Sequence, residues 1–484
     1  MSNLSKGKAS ERIAGLLDAQ SFVEIGSYVT ARSTDFNLAD KETPADGVIT
    51  GYGTIDEKLV YVYSQDASVL GGSMGEMHAK KISAVYALAM KMGAPVIGLI
   101  DCAGLRLQEG TDALWAFGEL YKNQVDASGV IPQITAVFGT CGGGMGVVPA
   151  LTDFTFMEKE QAKLFVNAPN ALDGNTAAKC DTASAAYQSE KIGSVDVAAS
   201  EAEIFEEIKA LVSVLPANNE DDLSYGECTD DLNRVCEGLE NCAGDTSIAL
   251  SMISDGNFFF ETKRAYAKEM VTGFIRLNGS TVGAVANRSE LCDEDGNVTE
   301  SFDGVLTSAG CEKAAEFVEF CDAFGIPVLT LTNVKGYKAD KHQERKIAKS
   351  VAKMTYAFAN ATVPKVNVIV GTAYGSAYVA MNSKSIGADM VFAWPEASVG
   401  MMDAKSAAKI IYADEIEKAE DGAALLAEKT KAYAELQGSV LSAAKRGYVD
   451  NIIDAQDTRK YVIGAFEMLF TKRDERPAKK HGTV

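Results

Sequence analysis

The 484-residue chain predicts an α/β fold in two tandem copies, and three observations carry that expectation. The first is a repeat held in one register. Pro95 and Pro327, Gly104 and Gly336, Pro132 and Pro364, and Gly139 and Gly371 all stand 232 residues apart. The second is the kind of segment that repeats. Gly93-Ala94-Pro95 opens Val96-Ile97-Gly98-Leu99, and Gly325-Ile326-Pro327 opens Val328-Leu329-Thr330-Leu331. Val130-Ile131-Pro132-Gln133 opens Ile134-Thr135-Ala136-Val137-Phe138, and Thr362-Val363-Pro364-Lys365 opens Val366-Asn367-Val368-Ile369-Val370. Short apolar runs behind Gly and Pro read as buried strands. The third is what lies between them. Ile82, Val85, Tyr86 and Ala89 in Glu76–Met92, and Ala314, Phe317, Val318 and Cys321 in Lys313–Phe324, recur at helical spacing. Strands that alternate with helices give crossover connections and a parallel sheet.

The repeat sets the domain expectation: residues 1–217, an acidic, exposed connection over 218–249, and residues 250–484. A net charge of −21 argues against nucleic-acid binding and against attachment to anionic lipid, both of which need a basic footprint. The nine cysteines include no C-x-x-C pair, so reduced thiols in a cytoplasmic protein are expected, without a bound metal. No run reaches membrane-spanning length, and the polar Met1–Arg12 stretch is unlike a signal peptide, so no direct membrane insertion is expected.

The candidate chemistry sits where the strands end. Gly142-Gly143-Gly144 leads into Met145–Leu151, and Tyr374-Gly375-Ser376 leads into Ala377–Ser385, each predicted as a strand-to-helix turn. Backbone N–H groups at a helix start have no intrahelical acceptor and attract negative charge. Small side chains leave their approach open. Two such donors aimed at one point form an oxyanion hole. Glycines also serve plain tight turns, and it is their recurrence in register that marks these two. Only three histidines, His78, His342 and His481, are present, and none has a partner at catalytic spacing.

Further segments carry a resemblance. They include Asp46-Gly47-Val48-Ile49-Thr50-Gly51-Tyr52-Gly53-Thr54, Gly71-Gly72-Ser73-Met74-Gly75-Glu76-Met77-His78-Ala79-Lys80-Lys81, Gln108-Glu109-Gly110, Ser128-Gly129-Val130-Ile131-Pro132 and Pro149-Ala150-Leu151-Thr152-Asp153-Phe154. The second half adds Phe320-Cys321-Asp322-Ala323-Phe324, Ala361-Thr362-Val363-Pro364-Lys365, Tyr378-Val379-Ala380-Met381-Asn382 and the tail Lys479-Lys480-His481-Gly482. Over nearly its whole length the chain resembles the biotin-dependent acyl-CoA carboxyltransferases. That family includes propionyl-CoA carboxylase β subunits and methylmalonyl-CoA decarboxylase α subunits. The resemblance implies two crotonase-like β-β-α spiral domains, the first on the acyl-CoA side and the second on the biotin side. It implies that Gly143 and Gly144 hold the thioester oxygen, and that Ser376 and Ala377 hold the biotin ureido oxygen. Gly104, Arg106, Gly142 and Lys80 are then expected to bind the acyl-CoA, and Gly375, Tyr374 and Gly336 the biotin. It further implies acyl-CoA as substrate, biotin on a separate carrier protein, and either a biotin carboxylase subunit or membrane decarboxylase subunits as partners. The family's sites lie between subunits, so a homo-oligomer, dimer or hexamer, is implied.

The chain departs from the family pattern at several places. Asp101-Cys102-Ala103-Gly104-Leu105-Arg106 stands where relatives carry Asp-Ser-Gly-Gly-Ala-Arg, and Asn333-Val334-Lys335-Gly336-Tyr337 where they carry Asp-Val-Pro-Gly-Phe. Ser376 replaces a glycine, and Val379 stands where many propionyl-CoA enzymes have Asp. Ala89-Met90-Lys91-Met92 spells the biotin-attachment tetrapeptide, but at a helix end instead of an exposed hairpin. Two other enzyme readings remain. Gly71-Gly72-Ser73-Met74-Gly75 fits a serine hydrolase elbow, with His342 or His481 to serve it. A crotonase-type hydratase or isomerase would need a carboxylate base, for which Glu109 is the candidate, though a structural role in the loop suits it better.

Overall fold

The strands form where the apolar runs predict them, and the turns between them are set by a few side chains. In the computed structural model, which describes residues 7–33, 35–221, 226–293 and 295–477, the chain divides into two compact units, Met1–Asp222 and Leu223–Val484. The tail motif with His481 lies outside the described residues.

In the first unit β1 (Val23–Ile25), β2 (Val48–Ile55) and β3 (Lys58–Gln65) run antiparallel. From β3 onward β4 (Val96–Cys102), β5 (Gln133–Gly142), β6 (Phe154–Glu158) and β7 (Val197–Ala199) run parallel, in that spatial order. A short strand, Lys163–Phe165, pairs with the far end of β5. Helices α1 (Glu76–Met92) and α2 (Gly110–Ala127) make the crossovers. Gly93, left-handed at φ +60°, ends α1, and the Pro95 behind it starts β4, so the Gly-x-Pro punctuation is a helix stop followed by a strand start. Lys91 falls in the last turn of α1, where a positive charge suits the helix dipole.

The second unit repeats this order. Strands β8 (Phe259–Thr262), β9 (Met270–Leu277) and β10 (Ser280–Asn287) are antiparallel. Strands β11 (Val328–Val334), β12 (Lys365–Tyr374), β13 (Met390–Ala393) and β14 (Asn451–Ile452) follow in parallel, with Ser398–Gly400 on the end of β12. Helices α3 (Ser308–Ala323) and α4 (Ile347–Asn360) cross over. Even the irregularities match: the register slips between Ile100 and Cys102 in one sheet and between Thr332 and Val334 in the other.

Both hairpins turn on two residues with positive φ, Asp56-Glu57 and Asn278-Gly279. Asp18 accepts the N–H groups of Asp56 (3.1 Å) and Glu57 (3.0 Å), and Asp255 accepts those of Asn278 (3.3 Å) and Gly279 (2.7 Å). A buried lysine serves each unit in the same way. Lys81 Nζ donates to the carbonyls of Ala45 (3.0 Å) and Val48, and Lys313 Nζ to those of Lys263 (3.0 Å) and Tyr266 (2.9 Å). Burial pushes both ammonium groups down to about 8.

Two expectations are corrected. From Cys236 onward the segment 218–249 is packed, not exposed. Cys236, Leu239 and Ala249 join the second core, and Asp245 caps the helix Thr246–Ile253 while pairing with buried Arg288 at 3.1 Å. The apolar residues there are spaced too widely to show a period, yet Cys236, Leu239 and Ala249 find the core. The turns also lead into less helix than predicted. Gly143–Val147 and Pro149–Leu151 are single 3₁₀ turns, and α5 (Gly375–Ala380) has six residues. Pro149 has no N–H to continue a ladder.

Candidate active-site turns

The first turn is built by close approach. Gly143 is left-handed at φ +63°, with open space where a Cβ would stand. A Cβ on Gly144 would lie 2.7 Å from the Phe117 ring, and one on Gly142 2.8 Å from the Phe165 ring. Gly104, at φ +117°, packs its backbone against the Gly142 carbonyl. Phe117 and Tyr121 line the turn from α2 with ring centroids 4.9 Å apart, and the Tyr121 hydroxyl donates to the Gly144 carbonyl. The structure therefore brings together Gly104, Gly142, Gly143 and Gly144, and opens a 3₁₀ turn on two residues, Gly143 and Gly144, that carry no side chain. Tyr121 escaped notice in the sequence; its signal was an aromatic pair at i, i+4 on the helix that faces the turn.

The second turn has the same frame. Gly375 is left-handed at φ +61°, Ser376 is exposed and Ala377 buried, and their N–H groups open α5. Gly336 sits at φ +156° and its carbonyl accepts the Leu306 N–H at 2.9 Å. Leu306 bridges Tyr337 as Met74 pairs with Leu105 in the first unit. Tyr374 closes β12, paired with Gly400.

Below each turn one side chain locks the strand ends. Asp101 Oδ1 accepts the Thr140 N–H at 3.2 Å, while the Asp101 N–H donates to Gln65 Oε1 at 3.1 Å. Asn333 repeats both bonds with Thr372 (3.0 Å) and Asn287 (3.1 Å). Asp101 faces Arg12 at 3.4 Å, whereas Asn333 Nδ2 donates to the Ala243 carbonyl at 3.1 Å. An amide is required there because a carboxylate would repel that carbonyl. The departure at Asn333 is thus structural and lies under the site instead of in it.

Two predicted ligands are paired with carboxylates of their own unit. Arg106 is 1% exposed, and its Nη1 donates to Asp46 Oδ1 and Glu109 Oε1, both at 2.6 Å. The guanidinium is spent inside the unit. Glu109 Oε2 also takes the Glu76 N–H at 2.6 Å, so it caps α1 and is held by Arg106, not free to act as a base. Burial raises the Asp46 carboxyl, with Arg106 opposing it. Lys80, half-exposed, pairs with Glu76 Oε1 at 2.6 Å.

The elbow reading has no geometry behind it. Ser73 Oγ donates to the Leu70 carbonyl at 2.9 Å and accepts from Arg106 Nε at 3.4 Å, and among the described residues no histidine hydrogen-bonds it. His78 is 1% exposed. Its Nδ1 lies 2.9 Å from the Asp46 carbonyl and its Nε2 3.1 Å from Gln65 Nε2, which makes Nδ1 the protonated nitrogen of a neutral ring. Burial, then Arg106 and Lys81, push it down to about 3.

Comparison with known proteins agrees with this geometry. The family model described as the carboxyl transferase domain matches residues 3–484. The chain is 41% identical to a propionyl-CoA carboxylase beta chain of Roseobacter denitrificans, over 98% of this chain and 93% of that one. It is 39% identical to the methylmalonyl-CoA decarboxylase subunit alpha of Veillonella parvula, over 99% and 93%. Transcarboxylase 12S, solved as a hexamer with hydrolysed methylmalonyl-coenzyme A bound, superposes with a TM-score of 0.91 at 38% identity, covering 98% of this chain and 92% of that one. With a match that spans residues 3–484 and so both turns, the chain belongs to the carboxyl transferase family and carries its duplicated crotonase-type fold.

Proposed function

We propose that this chain is the carboxyltransferase component of a biotin-dependent enzyme, moving a carboxyl group between biotin on a separate carrier protein and a short-chain acyl-CoA. Propionyl-CoA/methylmalonyl-CoA is the favoured pair. The observation that carries the reading is the pair of matching turns, each opening at a left-handed glycine with first-turn N–H groups that lack an intrahelical acceptor. In the first unit, Gly143 and Gly144 N–H groups would bind the thioester oxygen as the α-carbon loses its proton and charge moves onto that oxygen. Gly104 and Gly142 hold those two residues in place by close backbone packing. In the second unit, Ser376 and Ala377 N–H groups would bind the ureido oxygen, with Gly375, Tyr374 and Gly336 shaping the approach.

The second turn fits that group: its residues are small, Ser376 is exposed, and the side chain closest along α5, Val379, is 37% exposed and uncharged. When bound, biotin supplies the carboxyl group and the base for the acyl α-proton, which is why no protein carboxylate or histidine is needed at the turns. The proposal includes a cytoplasmic homo-oligomer, supported by the hexamer of transcarboxylase 12S, with a carrier protein and either a biotin carboxylase or membrane decarboxylase subunits as partners. Among the described residues no helix is long and apolar enough to cross a membrane.

The test is decarboxylation of methylmalonyl-CoA, malonyl-CoA and glutaconyl-CoA by the purified chain with free biotin. Methylmalonyl-CoA should be consumed fastest. Decarboxylation that is equally fast without biotin, or none with it, as for a hydratase or isomerase, contradicts the reading.

A further inference from the structure

Two of the departures from the family pattern are in contact. The Tyr337 hydroxyl donates to Ser376 Oγ at 2.9 Å. Tyr337 stands where relatives carry phenylalanine, and Ser376 where they carry glycine, so neither hydroxyl belongs to the usual frame. Each accounts for the other: among the described residues the Tyr337 hydroxyl hydrogen-bonds Ser376 alone, and Tyr337 alone hydrogen-bonds the Ser376 hydroxyl.

The direction of this bond matters. Tyr337 is the donor, so both oxygens keep lone pairs but only Ser376 keeps a hydrogen to give. Among the described residues Ser376 Oγ makes no other hydrogen bond. An exposed O–H donor therefore stands on the residue whose own N–H opens α5. The Tyr337 ring is held from its backbone. The Gly336 carbonyl accepts the Leu306 N–H, and the Leu306 carbonyl accepts the Lys338 N–H, both at 2.9 Å. The phenol is thus a fixed post for the serine.

The first unit serves as an internal control. Its frame matches in register, with Leu105 at the place of Tyr337 and Gly144 at the place of Ser376. There the turn has backbone donors alone, and a Cβ on Gly144 would meet Phe117 at 2.7 Å. The hydroxyl pair is therefore confined to the turn assigned to biotin.

Resting on the proposed carboxyltransferase reading, we propose that the Ser376 hydroxyl is a third hydrogen-bond donor to the ureido oxygen of biotin, and that Tyr337 is the positioning residue that aims it. A side-chain donor beside two N–H groups strengthens an oxyanion site when it is held before the charge develops.

The experiment uses the full chain and four forms: wild type, Tyr337→Phe, Ser376→Gly, and the double variant. Two quantities are read, free-biotin binding by titration calorimetry and the kinetics of biotin-dependent methylmalonyl-CoA decarboxylation. Tyr337→Phe and Ser376→Gly should each weaken biotin binding and lower kcat/KM for biotin by about 3- to 20-fold, while the KM for methylmalonyl-CoA stays put. The double variant should match Ser376→Gly, because Tyr337 acts only through the serine. Wild-type biotin binding in both single variants, or a Tyr337→Phe effect confined to melting temperature, overturns the inference and leaves the carboxyltransferase reading intact. A wild-type chain that neither binds biotin nor decarboxylates with it overturns both.

Discussion

Gly143 shows how one residue can carry chemistry and conformation together. Its φ of +63° is a region that an L side chain enters at a cost of about 1–2 kcal/mol, yet a Cβ there would meet no atom. Gly143→Ala should therefore fold, with stability lowered by about 1 kcal/mol, and place a methyl group over the first-turn donors. Carboxyl transfer should fall on the order of 10²-fold, the usual loss when an oxyanion donor is displaced. Steady-state assay beside urea unfolding separates the two effects, and near-normal transfer would remove Gly143 from the site. His78 makes a second residue-scale case. Its folded value of about 3 lies below the unfolded 6.5, so the ring contributes stability that is full above pH 6.5 and is lost as pH falls toward 3. Between pH 7 and pH 4.5 the loss due to this group is about 3 kcal/mol. His78→Gln, compared with wild type by denaturant unfolding at the two pH values, should flatten the profile by that amount. An unchanged profile would mean that the ring takes up its proton as readily in the folded state as in the unfolded one. The glycines of both turns were legible in the sequence because small residues at strand ends recur in register. The fates of Arg106 and Glu109 were not. Charge type reveals a cation or an acid, and only packing reveals that each is spent on the other.

At the scale of elements, the buried Arg106–Asp46–Glu109 cluster ties three segments together: the loop before β2, the start of α1 through Glu76, and the start of α2. Arg106 also anchors its own backbone, donating its N–H to the Met74 carbonyl at 2.8 Å, two residues from Gly104. Removing the cation leaves two carboxylates facing each other out of water. Arg106→Met should cost about 3–5 kcal/mol, seen as a lower urea midpoint. A variant as stable as wild type but with a raised KM for acyl-CoA would instead restore Arg106 to the substrate. The central parallel strands were readable because they are buried on both faces and therefore mostly apolar, with Gly and Pro at their ends. The segment after each turn was misread as longer helix, since alanine, valine and leucine there suit a helix, whereas Pro149 and the close-packed Gly146 stop one. The clamps by Lys81 and Lys313 were invisible, as a lysine in an amphipathic helix normally reads as a solvated face.

The whole molecule is one design used twice and then altered. Sheet order, register slip, hairpin support, lysine clamp and strand-end lock recur in both units. The two turns differ in what they present: bare backbone walled by Phe117 and Tyr121 in the first, and a Tyr337–Ser376 hydroxyl pair in the second. Duplication followed by divergence at the turns suits a reaction in which two unlike oxygens gain charge. The full-length repeat was legible because it is a matter of spacing, which survives when residue identities drift. The contact between Tyr337 and Ser376 was not, because residues 39 apart in sequence are joined only by the fold. The measurement that tests the central claim most directly is loss of the carboxyl group from methylmalonyl-CoA by the purified chain, with and without free biotin. Turnover that depends on biotin is the predicted result. Turnover equally fast without biotin, or none at saturating biotin while the chain is folded, would contradict the account.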